Sequence, residues 1–579
     1  MRWDTTCTNQ GATQMIIEHP TPERGRRPAH WLAAVGMTFA LVLGSCSSDD
    51  GDAGDAATNG DVTAGAGEGA EGAADAPRCE QGATVDQVEV EPVDDVESDF
   101  TLTSFDGTEI RLHWFPAEDA SADDPAPALL MGPGWSLPGA SDPDGDPILG
   151  GIRIREINEH GYHVLTWDPR GFGVSSGTAQ INHPDTEGRD VQLLIDWLAE
   201  QPEVVIDAEG DPRVGMIGGS YGGGIQLTVA SIDCRVDALV PTVAWHSLES
   251  SLFKAETMKT GWAGLLVNIG EAGSIAPQIM EAYESGSTTG VVPDETMDWF
   301  TERGPGDRVG DVRTPTLFVH GTVDTLFTLD EAATNFAILE DNDVATSMLW
   351  FCGGHGACRT DGAEEDWVVE RTLAWLDHHL LDSDVDTGSV FEFIDQKGVR
   401  WRSETYPPTQ DGAMSASGSG ELQLSDTGGA VLDGDLGSDG LVASLVGDIT
   451  PGPADNAVEV TVEADGDSMV VGAPKLTITY RGTSPDGELP TRVFAQLVDD
   501  ELGVVVGNQI TPIEVTLDGE THTTEVDMEI VAQHLAHGES VTLQLVSYSG
   551  AYLVPRLGGE ITFESVEVSL PVVADIFTP

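Results

Sequence analysis

The chain has 579 residues, 40% of them hydrophobic, and a formal net charge of -73. That length admits more than one domain with a real core, while the charge excludes nucleic acid and anionic lipid headgroups as partners of the folded surface. Acidic residues run through the whole chain and the lysines are only Lys254, Lys259, Lys397 and Lys475, which reads as adaptation to concentrated salt and not as one acidic binding patch.

Residues 1–45 read as a lipoprotein signal peptide. "RGRRPAH" supplies positive charge, and "WLAAVGMTFALVLGS" supplies an apolar run too short for a comfortable membrane span. "LGSC" then ends at Cys46, where small residues before a cysteine resemble the bacterial lipobox, so Cys46 is the expected lipidation site. An ordinary secretory peptide is the alternative, and Met15 is an alternative start. Residues 46–88 are Gly, Ala, Asp and Glu with little to bury, an acidic disordered linker. With Cys7 and Cys46 set aside, four cysteines remain, an even number that favours disulfides in an exported protein. Cys352 and Cys358 are near neighbours in "FCGGHGACR", and Cys79 with Cys234 follows by elimination. A metal cluster is disfavoured, because one local His and no second pair of cysteines make a poor ligand set.

Residues 89–388 carry a second grammar. "DFTLTSFDGTEIRLHWFPA" alternates about a "DG" turn and predicts a hairpin. "APALLMGPGW", "HVLTWDPRGFG", "VDALVPTVAW", "TPTLFVHGTVD" and "SMLWFCGGHG" are buried strands that end in polar or glycine-rich loops. "EGRDVQLLIDWLAEQ" and "EEDWVVERTLAWLDHHLL" have helical spacing. Such alternation implies an α/β fold, a parallel sheet covered on both faces, with its site at the carboxyl ends of the strands. The alternation stops at about 247–310, where helical segments predict a cap inserted over those strand ends. From 389 to 579, runs such as "AVEVTVEA", "KLTITYRG", "RVFAQLVD" and "SVTLQLVSY" predict an all-β sandwich or jelly-roll domain.

The chemistry centres on "GGSYG" at Gly218 to Gly222. It fits Gly-x-Ser-x-Gly, a sharp strand-to-helix turn that exposes the hydroxyl of Ser220. A serine needs a base. The acid and the histidine should follow in that order, each on a loop after a later strand, and "HGTVD" offers Asp324 while "GGHG" offers His355. The paired glycines before His355 leave room for substrate, and a Cys352–Cys358 bridge would steady that loop. Asp330 is the weaker rival, expected to cap the helix "DEAATNFAIL". His320, His378 and His379 read as structural, and Arg170 in "DPRGFGVSSG" as an ion-paired frame beside the turn. Two donors should hold the oxyanion: the backbone N–H of Tyr221, and an N–H from "GPGWS", assigned to Trp135. No cofactor and no metal are expected.

"GGSYGG", "DPRGFGVSSG", "HGTVD", "GGHG" and the junction "GVRWRSETYPP" (Trp401, Arg402, Tyr406, Pro407, Pro408) resemble the Xaa-Pro dipeptidyl-peptidase and cocaine esterase-like serine hydrolases of the α/β-hydrolase superfamily. The resemblance runs from about Asp99 to the end. It implies an α/β-hydrolase core with an inserted helical cap, a C-terminal jelly roll that helps shape the site, and a triad of Ser220, Asp324 and His355. Cocaine esterase-like members use a tyrosine hydroxyl after the third core strand as an oxyanion donor, and "GPGWS" has none. The family divides between Xaa-Pro peptides, acyl amides and esters. The expected protein is an exported, lipid-anchored serine hydrolase acting on a small peptide or ester, with the peptidase preferred. A cocaine esterase-type carboxylesterase and a non-catalytic surface binding protein are the alternatives.

Overall fold

Successive side chains of a strand point to opposite faces, so a strand apolar at every position must be covered twice. The computed structural model describes residues 81–578 apart from 95, 146–151, 357, 359–364, 427–428, 430–431, 434–449, 486–490 and 553–557. Its large sheet is built from β1 (Val90–Pro92), β2 (Asp99–Thr103), β3 (Glu109–Phe115), β4 (Ala128–Gly132), β5 (His163–Trp167) and β6 (Val214–Gly219), followed by β7 (Val236–Thr242), β8 (Thr316–Gly321), β9 (Thr346–Phe351), β10 (Phe391–Ile394) and β11 (Arg400–Ser403). The order is β1-β2-β3-β5-β4-β6-β7-β8-β9-β10-β11. The strands from β5 to β10 run parallel, and β1 to β3 and β11 close the two edges antiparallel.

Neighbouring residues divide between the two faces. Leu130, Met216, Leu239 and Phe318 pack with Val191 and Leu194 of α2 (Arg189–Ala199), Ile225 and Leu227 of α3 (Tyr221–Ile232) and Phe336 of Leu329–Asp341. Leu129, Ile217, Val240 and Leu317 pack on the other face with Ile154 and Ile157 of α1 (Ile154–Glu159), and with Trp367 and Leu376 of Glu365–Leu380. Between β7 and β8 the chain leaves the sheet and forms helices at Leu248–Leu252, Thr260–Gly270, Pro277–Thr289 and Asp294–Thr301, joined by their own apolar core.

The β10 and β11 segments, assigned from sequence to the β-domain that starts at 389, belong to the large sheet. Phe391, Glu392, Phe393 and Ile394 are all buried beside β9, which is the requirement of an inner strand. The β-domain proper starts at Gln410. Two antiparallel sheets, one around Glu560–Val573 and one around Thr491–Asp499, face each other across a shared core that includes Val458, Val493, Leu543, Ile478, Val566 and Val568. Strand Ala457–Glu463 alternates buried and solvent-facing residues as a one-sided strand must.

The far end of the expected disordered linker is ordered. The Asp196 carboxylate accepts the N–H groups of Thr84 (3.0 Å) and Val85 (3.2 Å), and Glu200 accepts that of Val88 (3.2 Å). Asp196 also pairs with Arg235 at 2.6 Å, and Arg235 holds Asp233 at 2.6 Å. The remainder of the linker, the signal segment, Cys46 and Cys79 lie outside the described residues.

Crowded carboxyls have a cost that pH reveals. Burial, with the charges of Asp207 and Asp211 added, lifts Asp237 from 3.8 to about 7, against the one N–H it accepts, from Val214 at 2.8 Å. The folded state therefore binds this proton more tightly than the unfolded chain, and Asp237 lowers stability progressively as pH rises from about 4 to about 7. Asp237→Asn keeps an oxygen acceptor for Val214. It is expected to raise the melting temperature at pH 8 and leave it unchanged at pH 4, measured at constant ionic strength.

Candidate active site

The glycines around Ser220 are required by space. β6 delivers Ser220 at φ 56°, ψ -114°, and α3 begins at the next residue. Few non-glycine residues occupy that region without a functional reason. A Cβ on Gly222 would lie 2.1 Å from Gly132 O, on Gly218 2.5 Å from the same oxygen, and on Gly223 2.7 Å from Thr242 O. The turn is thus pressed between the ends of β4 and β7, and the Ser220 N–H donates to Thr242 O at 2.9 Å.

β8 and β9 bring the other two groups. Asp324 follows β8 and is fully buried, and His355 follows β9. His355 Nδ1 lies 2.7 Å from Asp324 Oδ2, and its Nε2 lies 2.9 Å from Ser220 Oγ. The same Oδ2 accepts the His355 backbone N–H, and Oδ1 accepts those of Leu326 and Phe327, all at 2.9 Å. Burial alone would push the Asp324 carboxyl up. The His355 imidazole, by charge and hydrogen bond, together with His320 and the backbone donor, outweighs burial and holds it below 3.8. Asp324 is therefore ionised at neutral pH and fixes the Nδ1–H tautomer of His355. Phe327 and Trp262 stand edge-on to the imidazole, at 5.2 and 5.8 Å between ring centres.

The glycines before His355 serve a different purpose from the one expected. Gly354 has φ 115°, and a Cβ there would meet the Asp324 side chain at 2.7 Å. The missing side chain admits the carboxylate, not substrate. Cys352 and Cys358 form a disulfide with Cα atoms 5.5 Å apart, beside this loop. Cys234 is disulfide-bonded too, and its N–H donates to Gln81, two residues past Cys79.

Asp330 is not a cap. It lies inside the helix Leu329–Asp341, whose preceding residue is Thr328, and its carboxyl accepts the N–H of Ile530 in the β-domain at 3.0 Å. Burial and the charge of Glu529 push Asp330 well up, so it is the protonated member of that pair. Glu529, in turn, takes Lys254 at 2.9 Å and the Thr328 hydroxyl at 2.9 Å. His320 is buried and neutral, drawn below 6.5 by burial, with Nε2 donating to Phe327 O at 2.8 Å. Arg170 places two donors on Asp190, both at 2.7 Å, and a third on Asp106 at 3.0 Å. The His379 ring lies tilted against Trp375, 4.4 Å between ring centres, and His378 lies against Ser383 O, on the far helix.

Tyr221 opens α3, so its N–H has no intrahelical partner. Its hydroxyl donates to the buried Glu187 at 3.3 Å, and its carbonyl accepts from Asn182 at 2.8 Å. The Trp135 indole donates to Leu266 O at 2.9 Å and the Ser136 hydroxyl to Ile269 O at 2.7 Å, which ties the loop after β4 to the cap helix Thr260–Gly270. Two partners of the site carry no local motif. Gln509 of the β-domain donates to Asp324 O at 2.7 Å, and Lys259 donates to Leu326 O at 2.9 Å. Rarity was the one signal for Lys259, and Gln509 had none. Among the described residues no group of three or more His, Cys, Asp or Glu is placed to hold a metal ion.

Residues 106–356 match the family described as X-Pro dipeptidyl-peptidase (S15 family). A polyketide transferase from Penicillium is 32% identical over 145 residues, 25% of this chain and 43% of that protein, and one from Gibberella fujikuroi is 25% identical over 136 residues, 23% of this chain and 37% of that protein. The chain thus spans about two fifths of the length of these curated relatives. In fold it is similar to a CocE/NonD family hydrolase from Staphylococcus aureus, with TM-score 0.61 at 13% identity over 85% of this chain and 97% of the other. It is also similar to an α-amino acid ester hydrolase, with TM-score 0.62 at 11% identity over 84% and 96%. Those two likenesses, over 85% and 84% of the chain, show the fold, and residues 106–356 carry the match to the X-Pro dipeptidyl-peptidase (S15) family.

Proposed function

We propose that this chain is a serine hydrolase of ester or peptide bonds that works through an acyl-enzyme. The observation that carries the reading is the relay from Ser220 Oγ to His355 Nε2 and from His355 Nδ1 to Asp324. Ser220 attacks the substrate carbonyl while His355 takes its proton. The oxyanion is met by the N–H of Tyr221 and one from the Gly134–Trp135 stretch, with the positive end of α3 behind it. His355 gives the proton to the leaving group, then draws one from the water that releases the acyl group. Asp324 stays ionised throughout and stabilises the imidazolium. The C-terminal domain is read as a jelly roll, and the "LGSC" segment supports export with a lipid on Cys46.

A biotinylated fluorophosphonate applied to the full chain in membranes tests this. One adduct on Ser220, no adduct in Ser220→Ala, and release from the membrane fraction in Cys46→Ala are expected. An unmodified Ser220, or full turnover by Ser220→Ala, removes the enzyme reading in favour of a binding protein; retention of Cys46→Ala in the membrane removes the anchor alone.

A further inference from the structure

The cap helices and the sheet's strand ends line an apolar chamber of about 90 Å³ with Ser220 in its wall. Each of the four cap helices contributes: Leu248 from the first, Leu266 from the second, Ala282 from the third and Phe300 from the fourth, with Trp245 and Phe327 from the core. The lining includes no charged residue. Its tyrosines and tryptophans, Trp135, Tyr221, Trp245 and Tyr283, carry no negative charge that would pair with an ammonium. The Tyr221 hydroxyl is spent on Glu187, which itself lies buried behind that ring, and the Trp135 indole N–H on Leu266 O.

We propose that the chamber selects a neutral, apolar acyl group of about six to eight carbons, and that the substrate is an ester of such an acid and not a free-amino dipeptide unit. This rests on the serine hydrolase reading and specifies its substrate class. The group that stays on Ser220 through the acyl-enzyme must wait for water, whereas the leaving group must depart; an apolar pocket walled by the cap suits the first. A water-sized group needs roughly 10–15 Å³ of such space, so the chamber holds six to nine of them. The amino end of a dipeptidyl unit lies about 7 Å from the scissile carbonyl, inside this space. There an ammonium would lose its water and find no carboxylate.

The test uses the full chain and p-nitrophenyl esters that share one leaving group. From acetyl to hexanoyl, kcat/KM is expected to rise about fourfold per methylene, from ~0.8 kcal/mol per buried CH₂. The propionyl ester is expected to exceed the alanyl ester, which differs by one ammonium group, by about a hundredfold or more. Ala282→Phe, which fills the chamber, is expected to lower the hexanoyl-to-acetyl ratio at least tenfold. A flat or falling chain series, an alanyl ester preferred over propionyl, or Ala-Pro p-nitroanilide turned over faster than the hexanoyl ester overturns this inference. If Ser220 takes the fluorophosphonate in those cases, the hydrolase reading survives; if it does not, both fall.

Discussion

Asp324→Asn is expected to lower kcat about ten-thousandfold with little change in the folded structure. The amide oxygen can still accept the N–H groups of Leu326 and Phe327 that Oδ1 accepts now at 2.9 Å, so the turn after β8 keeps its shape. The amide NH₂ then faces His355. It meets Nδ1 as a donor and forces the proton onto Nε2, the atom that must accept from Ser220. A second mismatch accompanies the first, because the His355 backbone N–H also points at that position, now at 2.9 Å from Oδ2. Steady-state kinetics on an activated ester, beside a thermal melt, separates the outcomes. A loss below tenfold with an intact melt would mean that His355 does not depend on Asp324 for its tautomer, and the relay would need another acid.

Arg235→Met is expected to cost about 3–5 kcal/mol of stability. Arg235 is 0% exposed, and its carboxylate partners are exposed by 1% (Asp196) and 0% (Asp233). Four of its donor contacts are short: Nη1 to Asp196 at 2.6 Å and to Gly210 O at 3.0 Å, and Nε and Nη2 to Asp233 at 2.9 and 2.6 Å. A methionine of similar length fills the space but leaves two buried carboxylates facing each other without a cation. The N-terminal segment hangs on the same Asp196 through Thr84 and Val85, so it should loosen before the sheet does. Urea unfolding of Arg235→Met, and of Arg235→Met/Asp233→Asn, checks the cause: neutralising Asp233 should recover part of the loss. Equal stability of the single variant and the parent would show that the three charges offset one another to no net effect.

Ser220, Asp324 and His355 could be read in advance because each follows a recognisable apolar strand, and the chain order of the three groups is fixed by the order of those strands. The hairpin, the parallel strands and the covering helices were legible for the same reason, since period and burial go together. β10 escaped because a four-residue strand that carries Glu392 among three apolar residues reads as a sandwich strand with one wet face, not as a strand buried inside a parallel sheet. The chamber wall could not be read at all. Ile181, Leu248 and Phe300 are ordinary core residues by type, and only the path of the cap brings them to one surface. Asp330 misled because Asp near a helix start usually caps it, whereas here its carboxyl reaches across to Ile530. Arg235 gave no hint beyond two acids near it in sequence or fold, since ion pairs between distant segments leave no spacing to detect.

The contact between Gln509 and the Asp324 carbonyl reaches beyond packing. The carboxylate of the relay is fastened at its main chain by a residue that arrives 185 positions later, from a different domain. Substitutions anywhere that tilt the 506–509 bend will therefore be felt as altered turnover, even where they never approach the substrate. The outer β-layers and the hydrolytic core have to drift together, and a graft that exchanges one without the other inherits a misaligned acid.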